Sequence, residues 1–349
     1  MKSPEAPHGA PAFVIPLVAG LLGAVVATVL ALLTFGVQAT VDPHQLPLAV
    51  GTVDASAAPA LGQVTSNIAS QGGDRVAWRQ VDSRAEAETL LDQKEIYGAV
   101  LFSPGPGGLT ATILVSGAIN PNATSIAEPL LIQVAVGVTS ATQTRPSSQP
   151  AVQVVTLHAT SAAGRTLPLA GSALLWLATL VPNIFLLAAG PRLSAGKPIG
   201  PATSVGTAVV AAFLGTGVVL GLAWLWDSTL SLGWEVAGFL LLVGTAFAFL
   251  QAGVLRWLGL AGMAVLGPLY LMAPAVSGLA PELLNSTYKT LLWTWTPFRF
   301  SAEALRSLMF LGPSAPDVQN ALLVFAGIAL AGLLILIAPR PQRREAAAT

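Results

Sequence analysis

Long apolar runs alternate with polar segments along this chain, and the pattern predicts its architecture. A helix that crosses the roughly 30 Å of membrane hydrocarbon needs about 20 consecutive apolar residues. We therefore expect a polytopic α-helical membrane protein with one helix, a gap, and then a five-helix transmembrane block over 168–338. The six predicted transmembrane helices are 12–36, 168–190, 203–226, 236–255, 257–280 and 320–338.

The first run has a second interpretation. Val37, Gln38 and Ala39 loosely fit a small-residue cleavage site, so 12–36 could be a signal peptide rather than a membrane anchor. The apolar part of a signal peptide is only about 7 to 15 residues long. The length of the run therefore favours an uncleaved helix behind a short tail, 1–11.

Segment 37–167, between the first two runs, has the pattern of a water-soluble α/β domain. Short alternating or β-branched stretches predict strands, and apolar residues at helical spacing predict the helices between them. The predicted order is βαβαββαβ, and SPGPGG is expected to form a loose hairpin loop. The predicted strands are 46–53, 74–81, 97–102, 109–115 and 151–157.

The stretch DSRAEAETLLDQKEIYGAVLFSP (82–104) carries the clearest helix signal of that domain. Ser83 and Glu86 fit a capping box, in which the hydroxyl accepts from a free backbone N–H and the carboxylate reaches back. Ala87, Leu90 and Leu91 fall on one face of the predicted helix. A charged, capped helix followed by an apolar strand is typical of a soluble domain.

Composition supports the membrane assignment and excludes several functions. Only 9% of the residues are charged and 54% are hydrophobic, whereas roughly 25% are charged in an ordinary soluble domain. The formal net charge is zero, so no basic surface is expected to attract nucleic acid. The absence of cysteine excludes disulfides and a cysteine nucleophile.

Basic residues in short flanks predict the orientation, because Lys and Arg favour the cytoplasmic side. With both termini in the cytoplasm, including the tail 339–349, segment 37–167 is extracytoplasmic. The short outer loop after the third run holds only the acids Asp227 and Glu235, although the last outer loop holds Lys289, Arg299 and Arg306. The basic residues predicted to be cytoplasmic are Lys2, Arg192, Lys197, Arg256, Arg340, Arg343 and Arg344.

No catalytic or metal constellation is found, so the chain is not expected to be an enzyme or to bind a cofactor itself. His8, His44 and His158 lack the spacing of metal ligands. GPRLSAGKP resembles a phosphate-binding loop, but five rather than four residues separate its glycines and Pro198 replaces the Ser or Thr that would bind magnesium.

Two polar residues lie inside the apolar runs, Asn183 and Gln251, and no ionisable group lies near a run's centre. Proton relays in membranes depend on ionisable groups, so none is expected. The preferred interpretation of both residues is helix packing, by bonding to backbone freed beside Pro182 or to a neighbouring helix. Contact with a transported substrate is the alternative.

The segment before the last run is too polar to cross a membrane and is rich in aromatic residues. Such residues suit the membrane interface, and Ser301 is predicted to cap a helix near 301–311 with Glu303 and Arg306 on its polar face. An interfacial anchor is preferred to direct substrate handling. The interfacial aromatic residues are Trp293, Trp295, Phe298, Phe300 and Phe310.

In LPLAVGTVD, VDSRAEAETLLDQKEIYGAVLFSP and WTPFRFSAEALRSLMFLG the chain resembles permease subunits of type-2 ABC exporters, especially the branch that includes the phage-infection protein (Pip). The resemblance covers nearly the whole layout. It implies a bacterial plasma-membrane permease that exports a lipophilic or drug-like substrate and assembles as a homodimer or with a related permease. A separate ABC ATPase subunit would bind the ATP.

The resemblance also implies that the loop holding Arg192 and Lys197 docks the ATPase and that helix 301–311 lies near the substrate exit. The chain departs from the family in two places. The loop PRLSAGKPIGPA is short, and the tail before the first run lacks an amphipathic helix. The alternative is a non-transport receptor or scaffold that is anchored in the membrane and acts through segment 37–167.

Overall fold

The computed structural model describes residues 14–54, 56, 58–105, 107–143, 151–193, 199–230 and 232–339. They form a mixed sheet with its own helices, called here the α/β domain (46–157), and a set of longer helices, called the helical block (162–337). The helices are α1 (Val14–Ala31), α2 (Val37–Ala39), α3 (Ala58–Ala69), α4 (Arg84–Asp92), α5 (Pro121–Thr142), α6 (Ala162–Leu193), α7 (Pro201–Trp226), α8 (Trp234–Leu258), α9 (Met263–Ser277), α10 (Ser286–Tyr288), α11 (Pro297–Phe310) and α12 (Val318–Ile337).

The sheet has five strands in the order β2-β1-β3-β4-β5. Neighbouring strands are parallel, except for the antiparallel hairpin of β3 and β4. The predicted element order βαβαββαβ is confirmed. The strands are β1 (Leu46–Thr52), β2 (Val76–Val81), β3 (Ala99–Gly105), β4 (Gly108–Ser116) and β5 (Val152–Leu157).

The hairpin between β3 and β4 is tight, and the prediction of a loose loop is wrong. The two strands pair as far as Gly105 and Gly108, so only two residues connect them. Gly108 has a φ of 143°, a backbone conformation that side-chain-bearing residues rarely adopt. The glycine allows the strands to continue into the segment that looked like a loop.

Helices cover both faces of the sheet, because successive side chains of a strand point to opposite sides. Leu48 and Val50 of β1 pack in a cluster with residues of α3 and α5. Ala49, between them, packs with Leu90 and Leu91 of α4. The face predicted for α4 is buried as expected.

The capping box of α4 forms with one difference. Ser83 is the N-cap, and its Oγ accepts a 3.3 Å hydrogen bond from the Glu86 N–H. The Glu86 carboxylate accepts from the N–H of Asp82, at 2.9 Å, one residue before the cap. Both local bonds stabilise the first turn of α4.

Six helical stretches in the described part of the chain are long and apolar enough to cross a membrane. Two of them differ from the sequence prediction. One is α5, which packs on the sheet, and another combines α8 and α9. Gly259, with a φ of 60°, ends α8, and Gly262 then lies against Val254. The six stretches are Gly20–Ala39, Pro121–Thr142, Ala162–Gly190, Pro201–Trp226, Trp234–Ser277 and Val318–Ile337.

The helical block has an aromatic centre and a close glycine contact. Phe247 lies 4.9 Å from Trp176, 5.1 Å from Phe298 and 5.6 Å from Phe325, measured between ring centroids. Further along the same two helices, α12 meets α8 at Gly332, where a Cβ would lie 2.6 Å from the Leu250 nitrogen. Small residues allow two helix backbones to approach this closely.

Helix α1 stands apart from the block over most of its length. Leu21 and Leu22 are about two-thirds exposed (66% and 64%). Packing begins at the π-helical turn Leu32–Gly36 and continues at Val37, which is buried against α9. At that turn the Tyr288 hydroxyl donates to the Leu32 carbonyl at 3.0 Å.

Candidate functional site

The α/β domain meets the helical block through a cluster of charges centred on Lys94, of which only Asp317 is substantially exposed. The Lys94 side chain is 12% exposed. Lys94 Nζ lies 2.9 Å from Asp317 Oδ2 and 3.4 Å from Glu303 Oε2, and it also donates to the Glu303 carbonyl at 3.3 Å. One cation of the α/β domain thus binds two carboxylates of the helical block.

The turn after α4 aims Lys94 at the block. The N–H of Lys94 bonds to the Leu91 carbonyl, and the N–H of Glu95 bonds to the Leu90 carbonyl. This pair of bonds defines a Schellman motif, whose left-handed residue is usually glycine. Lys94 occupies that place with a φ of 58°, and it therefore adopts a conformation that is unfavourable for a residue with a Cβ.

Asp317 lies at the start of α12 and is also left-handed, with a φ of 74°. An N-cap aspartate ordinarily accepts a hydrogen bond from the first turn of its own helix. Within the described structure Asp317 makes no such bond. Its carboxylate instead binds Lys94, so the side chain serves the contact between domain and block rather than the helix.

Glu303 and Arg306 form the inner part of the cluster on α11. Arg306 Nη1 lies 2.9 Å from Glu303 Oε1, and the Arg306 side chain is only 3% exposed. Burial alone would raise the pKa of the Glu303 carboxyl, but the charges of Arg306 and Lys94 more than offset burial and lower that pKa. Glu303 therefore stays ionised between two cations.

A second group of polar contacts joins the α/β domain to the loop after α9. The Tyr97 hydroxyl donates to Glu282 Oε2 at 2.7 Å. Burial and the nearby Glu282 charge raise the pKa of Tyr97 far above its usual value, so the hydroxyl stays protonated. Asn120 and Asn122, at the start of α5, both donate side-chain N–H groups to the Gly278 carbonyl, at 3.2 and 2.7 Å.

A cavity of about 180 Å³ lies inside this junction, between Lys94, Tyr97 and Asn120 of the domain and the acids Glu282, Glu303 and Asp317 of the block. Arg299 forms part of its wall and stacks on Trp293 and Phe300, 3.9 and 3.7 Å from the ring centroids. The junction therefore encloses charged groups from both parts of the chain.

The residues predicted to form the interfacial segment lie in different environments in the structure. Trp293 stacks on Arg299 at the junction, Trp295 is half exposed, and Glu303 and Arg306 pair as described. Phe298 instead is fully buried in the aromatic centre of the block, a different place from a membrane interface. Amphipathic spacing alone did not distinguish these environments.

The N-terminus of this helix also differs from the prediction. Helix α11 begins at Pro297, after the N-cap Thr296, so Ser301 is not its cap. Ser301 lies inside the helix, fully buried, and its Oγ is 2.7 Å from the Oγ of Ser172 on α6. Proline at the first helical position provides the start signal that the prediction overlooked.

Asn183 and Gln251 both join α6 to α8. The Asn183 side-chain N–H group donates to the Thr179 and Ala248 carbonyls, at 3.0 and 3.2 Å. Gln251 donates to the Trp176 carbonyl at 3.0 Å. Each amide thus bonds to a backbone carbonyl of the facing helix, which agrees with a packing role.

The structure describes only part of the predicted docking loop. Arg192 is exposed in the last turn of α6, and Lys197 lies outside the described residues. Lys94 is the residue that sequence reasoning missed. Lys94 lies two residues after the end of α4, at the place where a Schellman motif usually has glycine, so the sequence carried no direct signal of the turn.

The junction connects the α/β domain to the helical block through charged side chains of both. Among the described residues no group of three or more His, Cys, Asp or Glu side chains could hold a metal ion. Comparison with protein-family models, curated proteins and solved structures finds no match to this chain.

Proposed function

We propose that this chain is the permease subunit of an ABC-type exporter for a lipophilic or drug-like substrate, driven by a separate ATPase chain. The observation that supports it best is the charged junction around Lys94. A domain that only needs anchoring can hang from a flexible linker. Buried charges held by both parts fix the domain on the helices, as expected where helix movement must be transmitted to the domain.

In this proposal α1, α6, α7, α8, α9 and α12 cross a bacterial plasma membrane, and the α/β domain is extracytoplasmic. Helix α5 stays outside because its apolar face is buried on the sheet. Arg256, at the end of α8, donates to the Leu336 and Ala338 carbonyls at the end of α12. Arg192 lies in the last turn of α6, and these two arginines at the ends of α6, α8 and α12 agree with a cytoplasmic side.

A second copy or a related permease would complete the pathway. Helix α7 exposes a broad apolar surface, including Phe213, Leu214 and Trp224, each between 64% and 68% exposed. In a membrane such a surface contacts lipid or another helix. Dimerisation through it would enclose a pathway between two sets of helices, with ATP bound only by the partner ATPase.

A receptor or scaffold is the second candidate, and one observation favours it. Only residues 194–200 separate the last residue of α6, Leu193, from the first residue of α7, Pro201. This connection leaves little chain for a helix that docks an ATPase. In this candidate the α/β domain binds an extracellular or envelope partner.

Purification from native membranes in mild detergent, followed by mass spectrometry, separates the two candidates. An exporter permease should bring a stoichiometric ABC ATPase, and replacing Arg192 and Lys197 by Ala should abolish this recovery. Recovery of an envelope protein bound to the α/β domain, with no ATPase, would reject the exporter in favour of the receptor.

A further inference from the structure

A second cavity, of about 360 Å³, lies where the short helix α2 comes close to α5 and α9. Its size falls within the roughly 300 to 1,000 Å³ typical of small-molecule sites. It lies beside the α5 end of the junction, next to the bonds from Asn122 to Gly278, and it is separate from the Lys94 cluster. The lining residues are Gln38, Val41, Asn122, Ser125, Ile126, Pro274, Ala275, Leu279 and Leu283.

The lining has one polar side and one apolar side. Gln38, Asn122 and Ser125 offer two amides and a hydroxyl, whereas α9 and the loop after it contribute apolar side chains such as Ala275 and Leu279. None of the described residues that line the cavity is charged. An ionic headgroup placed here would find no counter-charge in the lining, whereas an uncharged headgroup can use the amides and the hydroxyl as hydrogen-bond partners.

The position of α1 connects this cavity to the lipid. Gln38 follows the π-helical turn at which α1 leaves the block, and the helix below it is exposed, with Val25 53% and Val29 48% exposed. In the proposed topology, lipid tails fill the space beside α1. The cavity then opens at the level of the outer headgroups, above that apolar space.

We propose that this cavity binds an amphiphile with an uncharged, hydrogen-bonding headgroup, such as a polyol or sugar. The headgroup contacts Gln38, Asn122 and Ser125, and the alkyl chain passes along α9 toward α1. This proposal rests on the proposed function for the membrane topology, and it narrows the substrate class of the exporter from any lipophilic compound to a neutral amphiphile.

The test uses full-length protein in lipid nanodiscs and a photoactivatable alkyl glucoside whose chain carries a diazirine. Cross-links located by mass spectrometry are expected on α5 and α9. Octyl glucoside should compete at a concentration about tenfold lower than octyl sulfate, which has the same chain length but an anionic headgroup. Equal competition by the two would overturn the proposal.

Two serines provide a matched pair of variants. Ser125 and Ser70 are both exposed, and each donates its hydroxyl to the carbonyl of the asparagine three residues earlier, at 2.8 Å. Ser125→Trp fills the cavity and should lower labelling about tenfold, whereas Ser70→Trp should leave it unchanged. Labelling that survives Ser125→Trp at the wild-type level would overturn the proposal.

Gln38→Leu removes a headgroup contact without filling the cavity. The preference for octyl glucoside over octyl sulfate should fall toward one, and an unchanged preference would overturn headgroup recognition at Gln38. These measurements need neither ATP nor an ATPase. Failure to label therefore rejects the amphiphile site alone, and failure to recover an ATPase rejects the exporter alone.

Discussion

Lys94 Nζ lies 2.9 Å from Asp317 Oδ2, and both residues have a left-handed backbone, with φ of 58° and 74°. A residue with a Cβ loses about 1–2 kcal/mol in this conformation, which persists only where surrounding contacts fix it. The ion pair connects the two unfavourable turns, one in the α/β domain and one in the helical block. This contact, which each part maintains at a local cost, therefore acts with the bonds of Tyr97 and Asn122 to hold the domain in position.

Loss of the Lys94 charge should destabilise the protein strongly. Lys94→Met is expected to lower the free energy of unfolding by about 2 kcal/mol, mainly because Glu303, only 20% exposed, loses one of its two cations, whereas Asp317 is 40% exposed and contributes less. Thermal unfolding in detergent measures the effect. The control is Arg84→Met, because Arg84 pairs with Glu88 at 2.7 Å but is 44% exposed, and its loss should cost below about 0.5 kcal/mol. Equal effects would contradict the buried junction.

The backbone conformation of Lys94 gives a separate prediction. Lys94→Gly and Lys94→Ala both remove the ion pair, but glycine adopts a left-handed φ without strain. Lys94→Gly should therefore be more stable than Lys94→Ala by about 1 kcal/mol. At the preceding residue, Gln93, φ is −78°, so the order should reverse, with Ala more stable than Gly. Ala more stable than Gly at both positions would show that Lys94 is not left-handed.

The lowered pKa of Glu303 predicts that the protein loses stability at acid pH. Its pKa is lowered in the folded protein, so the folded state binds the proton more weakly than the unfolded state. The stabilising contribution is therefore present above the unfolded pKa of about 4.5 and is lost as pH falls through the lower folded pKa. The difference in melting temperature between wild type and Glu303→Gln should be largest near neutral pH and shrink below pH about 4.5. A difference that grows on acidification would refute this assignment.

The close contact of α8 and α12 predicts different effects for two glycines of the same helix. A Cβ at Gly332 would meet backbone atoms of Leu250 and Phe249 at 2.6 and 2.8 Å, whereas one at Gly327 has nothing within 4 Å. Gly332→Ala should cost about 1–3 kcal/mol through overpacking. Gly327→Ala should be neutral or slightly stabilising, because Ala favours helix. Similar melting temperatures for the two variants would contradict the close approach.

Several elements could be predicted from the sequence because their signals are local. The capping box of Ser83, the apolar face of Leu90 and Leu91, and the strand runs all depend on residues within a few positions of each other. The long apolar runs identify helices for the same reason, since length and composition are sufficient. The loose loop predicted for the hairpin was wrong because the strands continue up to Gly105 and Gly108, where glycine and proline usually indicate a loop.

The junction could not be predicted, since it depends on pairing across more than 200 residues of chain. Lys94 contacts Asp317 at a sequence separation of 223, and no spacing rule connects them. Phe298 showed the related problem that an aromatic residue in an amphipathic segment suits both an interface and a core. Helix α5 is apolar enough to cross a membrane, and only the structure shows that its apolar face packs on the sheet instead.

The most direct test of the account is a distance measurement between domain and block by spin labelling. The chain has no cysteine, so Ser70→Cys in the domain and Ser228→Cys in the block, both exposed, can carry the only two labels. The account predicts a single narrow distance distribution, which broadens with Lys94→Met and stays narrow with Arg84→Met. A broad distribution in the wild type, or one that Lys94→Met leaves unchanged, would contradict a junction that fixes the domain on the helices.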